Sequence, residues 1–475
     1  MQTAFQPLFL RPLHSPRMEV IAMKADIKEW DPEDPKKWDK RLAWTTVWIS
    51  TFSLTFGFCA WYLVPSLAPH LNAVGFHLDA SQLYWLVAMV GLSAGTLRIL
   101  WTFLPPIMGT RKLVFMSTIL LLVPLGCWIY AVTNPGLPFE VLMLFAFLAG
   151  IGGGTFSGLM ASTNYYFPKS KRGFALGVQG GLSDFGTSLV QFVTPIVITF
   201  SVFGILGSPQ HEVVAGQVKD IWLQNAGWIW VPLVVILSIL AIVLLRSVPV
   251  TANFKTQFSI FKSKHTWFMT LFYYGTFATF AGLGAHFALM GDGVFNHIEG
   301  APSAIAFAWV GPAIGALARV GAGKVSDKIR GGRVTTIMAA AVIIGLIFLC
   351  VYKPDSVMGC WVWMIAMWWV FFWTGCGNAS TTQQMAVLFP PVQGGAVVGW
   401  TSAIGAYGPF TIGVLLASTS PLVMFAVSAV IFAAILIINI FFYDSSDDLV
   451  VRILKYHSRT LSHVPQILRI FRILS

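Results

Sequence analysis

Apolar stretches of membrane-spanning length recur from about residue 42 to residue 443, and they set the fold class before any motif is read. A helix needs about 20 residues to cross a ~30 Å hydrocarbon core. In lipid every backbone polar group must be satisfied internally, so long continuous runs mean helices. The short alternating pattern of a membrane β-barrel does not fit them. Residue patterning predicts twelve helices: 42–64, 82–107, 112–133, 139–166, 173–203, 227–247, 266–291, 302–325, 334–352, 359–388, 394–417 and 421–443. The expected fold class is an all-α polytopic membrane protein, which agrees with 10% charged residues and a mean hydropathy of +0.74.

The net charge of +11 would suggest a nucleic-acid partner in a soluble chain. Here it has a topological origin. With both termini on the cytoplasmic side, 26 of the 30 Lys and Arg fall inside, and only Lys219 and Lys353 fall outside. That asymmetry is the positive-inside pattern, so no nucleic acid is needed to explain the basicity. The polar stretch Pro249–Lys264 divides the chain six plus six. The expected organisation is an arm at 1–41, a six-helix bundle at 42–247, a linker at 248–265, a second bundle at 266–443 and a tail at 444–475. The tail carries Arg452, Lys455, Arg459, Arg469 and Arg472 among apolar residues. It reads equally as an amphipathic helix on anionic lipid, broken at Pro465, or as disorder. The first 40 residues lack the apolar core of a cleavable signal, and Met18 and Met23 are alternative starts. Five cysteines without metal-ligand spacing read as small core residues. No phosphate-binding loop, metal cluster or nucleophile constellation is present, so neither a cofactor nor an enzyme is expected.

Two arginines sit inside otherwise apolar spans, Arg98 and Arg319. A charge at bilayer centre costs roughly 2.5–3.5 kcal/mol on insertion scales, and such residues usually face a bundle interior or an aqueous path. Arg98 lies ten residues before Met108, or about 15 Å at 1.5 Å per residue. Arg319 lies eight residues before Asp327, or about 12 Å by the same rise. Neither stem reaches the headgroups easily. The two fall on helices 2 and 8, which correspond under a six-helix repeat. Helices 5 and 11 repeat too: Gly177–Gly186 reads GVQGGLSDFG and Gly399–Gly408 reads GWTSAIGAYG, each with glycine first and tenth. Such repeats mark alternating-access transporters with a midplane site between the halves. Paired guanidinium forks suit a small planar anion. The competing reading makes each arginine a structural partner of a buried carboxylate or of backbone carbonyls, with Asp184 the one obvious counter-charge. The helix-5 and helix-11 glycines likewise read as close packing, as bared backbone, or as both.

These residues resemble the NarK-type nitrate/nitrite porters of the major facilitator superfamily. The likeness runs from about Glu29 to Tyr443, beginning with EWDPEDP at Glu29–Pro35. It rests on the glycine-rich signatures at 173–186 and 396–408, whereas Ser326–Arg333 marks only the superfamily. The resemblance implies the major facilitator fold, with two six-helix bundles related by a pseudo-two-fold axis. It implies that Arg98 and Arg319 grip the anion, that Phe156 packs on it, and that Tyr273 and Phe277 lie nearby. Backbone around Gly177, Gln179, Gly180 and Gly181, and around Gly399, Ser402 and Ala406, is expected close to substrate. Three positions depart from the family pattern: Gln179 replaces an asparagine, Gln383 stands where a second aromatic clamp is expected, and Asp184 replaces a neutral amide.

Asp184 and His286 are candidates for proton coupling; the plainer readings are an ion-pair partner and an interfacial side chain. Arg111, Asp327, Arg330 and Arg333 are candidates for a cytoplasmic gate, or simply topology markers. The expected function is transport of nitrate, nitrite or both across the inner membrane by a lipid-embedded monomer, as antiport or with protons. A facilitator for another small anion or an organic acid, and a non-transporting nutrient sensor, are the rivals.

Overall fold

The computed structural model describes residues 21–22, 26–201, 207–214, 217–249, 251–252, 258–389 and 391–444. The predicted tail and most of the N-terminal arm lie outside the described residues. Twelve helical segments follow one another. In the first half they are α1 (Lys40–Leu71), α2 (Ala80–Phe103), α3 (Thr110–Ile119 and Leu122–Val132), α4 (Phe139–Gly154 and Phe156–Thr163), α5 (Lys169–Val197) and α6 (Asn225–Trp228 and Trp230–Leu244). In the second half they are α7 (Lys264–Tyr273 and Thr279–Phe295), α8 (Ala304–Phe307 and Val310–Ile329), α9 (Gly331–Val351), α10 (Val357–Leu388), α11 (Pro391–Gly405 and Gly408–Ser418) and α12 (Pro421–Asn439).

Ten of these segments are apolar and long enough to cross a membrane; α5 and α7 are the other two. The physical reason is visible in α5. Gln179, Ser183, Asp184, Thr187, Ser188, Gln191 and Thr194 are all buried, so its polar surface faces protein rather than lipid. Burial also separates inner from outer helices. The most apolar window of α1 is 78% buried, against 33% for α6 and 28% for α12. Inner helices can therefore be polar, while outer ones must present Leu, Ile and Val to the acyl chains.

The halves meet along α2 with α11, α5 with α8, and α1 with α7. The first two pairings exchange under the six-helix repeat, as a pseudo-two-fold axis requires. Within the first half, Gly57 lets α1 approach α4; a Cβ there would sit 2.9 Å from the Gly152 carbonyl oxygen. Across the halves, Tyr62 Oη donates to the Ala281 carbonyl at 2.7 Å and Gln191 Nε2 to the Gly284 carbonyl at 2.7 Å.

Several boundaries differ from the sequence reading. Helix α1 continues past Pro65 and Pro69 to Leu71, beyond the expected end at residue 64. Residues Tyr274–Ala278 form a wider π-type turn inside α7, a feature that often accompanies functional sites. Helix α11 breaks between Gly405 and Gly408. A short antiparallel pair joins β1 (Ile21–Ala22) to β4 (Thr251–Ala252). Between α5 and α6 a two-stranded hairpin, β2 (Gln210–Val214) with β3 (Gln217–Ile221), carries Lys219.

Candidate functional site

Arg98 points from α2 into the bundle and is wholly buried. Its Nε donates to the Gly153 carbonyl at 2.7 Å, and its Nη1 donates to the Ser402 carbonyl at 2.9 Å. The first bond stays within its own half; the second crosses to the broken helix α11. Its backbone carbonyl accepts from Ser157 Oγ and Thr102 Oγ1, which ties α2 to α4 at this level. Four rings surround the guanidinium carbon: Phe156 at 4.6 Å, Phe277 at 5.0 Å, Trp61 at 5.5 Å and Phe58 at 5.9 Å. Each ring face offers a desolvated cation about 0.5–2 kcal/mol. Phe156 and Phe277 lie nearly parallel, 6.5 Å apart. Nη2 remains buried with no hydrogen-bond partner.

Arg319 meets a different environment. Its Nη1 forms a buried ion pair with Asp184 Oδ2, with side-chain exposures of 10% and 3%. Its Nη2 lies over Gly180, where a Cβ would stand 3.1 Å away. Gly180 and Asp184 are four residues apart on α5 and so share one face. The missing side chain makes room for the guanidinium, and the carboxylate one turn on holds it. The Tyr273 hydroxyl is buried beside both arginines without closing a well-aligned hydrogen bond. Gln179 Oε1 and Asp184 Oδ1 are also buried without partners. Unsatisfied buried polar atoms are costly, and Arg98 Nη2, the Tyr273 hydroxyl and Asp184 Oδ1 are three of them at the two cations.

Most of the expected residues converge on this place. Arg98, Arg319, Phe156, Tyr273, Phe277, Gly180, Asp184 and the Ser402 carbonyl belong to it, while Gln179 Nε2 donates to the Leu159 carbonyl at 3.5 Å. Gly181 packs on Val320 of α8, and Gly399 packs on Thr102, one turn beyond Arg98. Ala406 is buried at the α11 break. Three positions require correction. Gly177 is exposed, and a Cβ added there would meet nothing within 4 Å, so it faces away from the site. Gln383 turns its Oε1 to the Gly331 amide at 3.1 Å, capping the start of α9 rather than clamping an anion. His286 is fully buried, not interfacial; its Nε2 donates to the Pro409 carbonyl at 2.9 Å and its ring lies 5.7 Å from Tyr84. Asp184 has the ion-pair role that was its plainer reading.

The candidate gate residues brace each half separately. Arg111 pairs with Asp26 at 3.6 Å and donates to the Ile242 carbonyl at 2.7 Å, all in the first half. Arg333 approaches Asp444 at 4.0 Å, within the second. Asp327 is exposed, and Arg330 adopts a φ of 74° where α8 turns into α9. Phe58 and Trp61 were missed as ring partners, as was the Gly153 carbonyl. Their spacing of three on α1 was available, but 38 Phe and 19 Trp give no single ring prominence.

A family model described as Major Facilitator Superfamily matches residues 47–412. A protein of Thermus thermophilus described as "Probable nitrate/nitrite antiporter NarK2" is 52% identical over 396 residues, covering 83% of this chain and 89% of that protein. The chain belongs to the NarK-type porters of the major facilitator superfamily. The "Nitrate/nitrite transporter NarU" of Escherichia coli strain K12 is 35% identical over 417 residues, covering 81% of this chain and 88% of the relative. The fold likeness reaches further than the sequence likeness. The crystal structure of a D-xylose-proton symporter superposes with a TM-score of 0.61 at 16% identity, covering 85% of this chain and 97% of that one. This NarK-type chain is thus a multi-pass membrane transporter with the two-bundle architecture, not an enzyme.

Proposed function

We propose that this chain exchanges nitrate for nitrite across the cytoplasmic membrane, its two halves rocking about a midplane site. The observation that carries the reading is Arg98: a fully buried cation among aromatic faces, with one guanidinium nitrogen left without a partner. A planar monovalent oxyanion supplies the acceptor that Nη2 lacks, and the flat rings exclude water around it. Arg319 and the Tyr273 hydroxyl add donors from the other half. Because Arg98 bonds to α11 and Arg319 to α5, both cations sit on surfaces that slide during alternating access. The printed descriptions of the Thermus and Escherichia relatives support the choice of anion. The lysine and arginine asymmetry supports cytoplasmic termini in the inner membrane.

The test is counterflow in proteoliposomes. Labelled nitrate is expected to accumulate in vesicles preloaded with nitrite, and Arg98→Lys is expected to abolish it in a folded protein. Absence of counterflow with either anion sinks the proposal. Proton-coupled nitrate uptake is the second reading, favoured by the buried carboxylate Asp184 and involving His286 as the other candidate. An imposed pH gradient separates the two: exchange is indifferent to it, while symport accumulates nitrate without internal anion. Outward placement of the β2–β3 hairpin is tested by labelling Lys219→Cys with an impermeant thiol reagent.

A further inference from the structure

The two glycine-rich segments align position by position, so Gly180 corresponds to Ser402 and Asp184 to Ala406. The arginines obey this symmetry. Arg319 lies over Gly180, and Arg98 bonds the carbonyl of Ser402. The symmetry fails at one pair of positions. Arg319 finds a carboxylate one turn on, at Asp184, whereas Arg98 finds a methyl group's worth of side chain at Ala406. Among the described residues no carboxylate pairs with Arg98. Two buried cations and one buried anion leave one guanidinium uncompensated.

We propose that Asp184 is a resident counter-anion that restricts the site to a single monovalent anion. It occupies one side of Arg319 permanently, so the charge presented to substrate is one, not two. A nitrate or nitrite ion then brings the cluster to neutrality, the state in which the two halves close around a water-poor midplane site at least cost. A divalent anion would leave an uncompensated negative charge in the same water-poor pocket. Asp184 is therefore a positioning and specificity residue acting through Arg319, and it also keeps monovalent anions from binding too tightly to be released. The inference rests on the anion-exchange reading above.

The experiment is nitrate/nitrite counterflow with and without external sulfate or oxalate. Wild-type protein is expected to ignore both dianions. Asp184→Asn is expected to lower the KM for nitrate on the order of tenfold, lower kcat, and become sensitive to the dianions, because the site gains a net charge. Asp184→Glu is expected to restore the wild-type pattern. Ala406→Asp, which gives Arg98 its own carboxylate, is expected to raise the nitrate KM at least about tenfold, and Asp184→Asn added to it to reverse the change. Wild-type KM and unchanged dianion insensitivity in folded Asp184→Asn overturn the inference. Should that variant not fold, tight nitrate binding by folded Ala406→Asp overturns it equally. Loss of nitrate exchange in the wild type would instead sink the functional reading, which keeps the two failures distinct.

Discussion

Arg98 and Arg319 occupy equivalent places in the two halves, yet they are housed in opposite ways. Arg98 is held by backbone carbonyls and aromatic faces, which satisfy geometry without cancelling charge. Arg319 is held by a carboxylate, which cancels it. Carbonyl and ring contacts let a cation exist in a dry interior while it stays available to a visiting anion. An ion pair gives up that availability for permanence. The pseudo-symmetric scaffold thus carries an asymmetric charge pattern, with the cation that lacks a carboxylate partner in the first half and the ion-paired one in the second.

Four measurements sharpen or break this contrast. The largest effect is expected at Arg98: Arg98→Lys should cut nitrate exchange at least about 100-fold, since truncating a buried charged contact costs roughly 2–5 kcal/mol. Equal tolerance of lysine at both arginines would erase the distinction. Next, Arg319→Gln should lower the stability of the purified protein by about 3–5 kcal/mol, because it leaves Asp184 buried and unpaired. Thermal unfolding in detergent checks it, and adding Asp184→Asn should recover most of the loss. Third, Phe156→Ala and Phe277→Ala should each raise the nitrate KM about tenfold, in line with ~1–2 kcal/mol for a desolvated cation–ring contact. Their effect should exceed that of removing any ring near Arg319. Smallest is the glycine pair. Gly180→Ala pushes a methyl to 3.1 Å from Arg319 Nη2 and should change exchange a few-fold, while Gly177→Ala should leave it unaltered.

Much of this arrangement was legible in the residues. Burying a charge in lipid is so unfavourable that Arg98 and Arg319 had to face inward, and the repeat then placed them together. Asp184 could be named as the available counter-charge because no other acid lies at that depth in the described first half. Helix ends were less legible. The expected end of the first helix is residue 64, but α1 is buried from Gly57 to Ala68 and continues through Pro65 and Pro69 to Leu71. Gln383 lies in the last turns of α10, where its Oε1 accepts from the Gly331 amide at the start of α9, and Gly177 lies at an exposed position of α5. Phe58 and Trp61 escaped notice because an aromatic ring on a membrane helix looks the same whether it faces a cation or a methyl group. His286 lies near a helix end in sequence, yet the α11 break supplies the Pro409 carbonyl that makes burial tolerable.

Among the described residues of the N-terminal arm, Ile21–Ala22 pair with Thr251–Ala252 of the linker, and the stretch from Asp26 to Trp38 is tied to the first half. The indole nitrogens of Trp30 and Trp38 donate to the carbonyls of Tyr165 and Tyr166, each at 2.9 Å, and Asp26 accepts from the Ser247 amide at 2.8 Å while pairing with Arg111. Every one of those partners belongs to the first bundle. Under the proposed rocking, the stretch from Asp26 to Trp38 rides as a passenger on the first bundle. A fluorophore placed on it reports the orientation of that bundle faithfully, and its distance to a second dye on α9 or α12 becomes a direct gauge of the stroke.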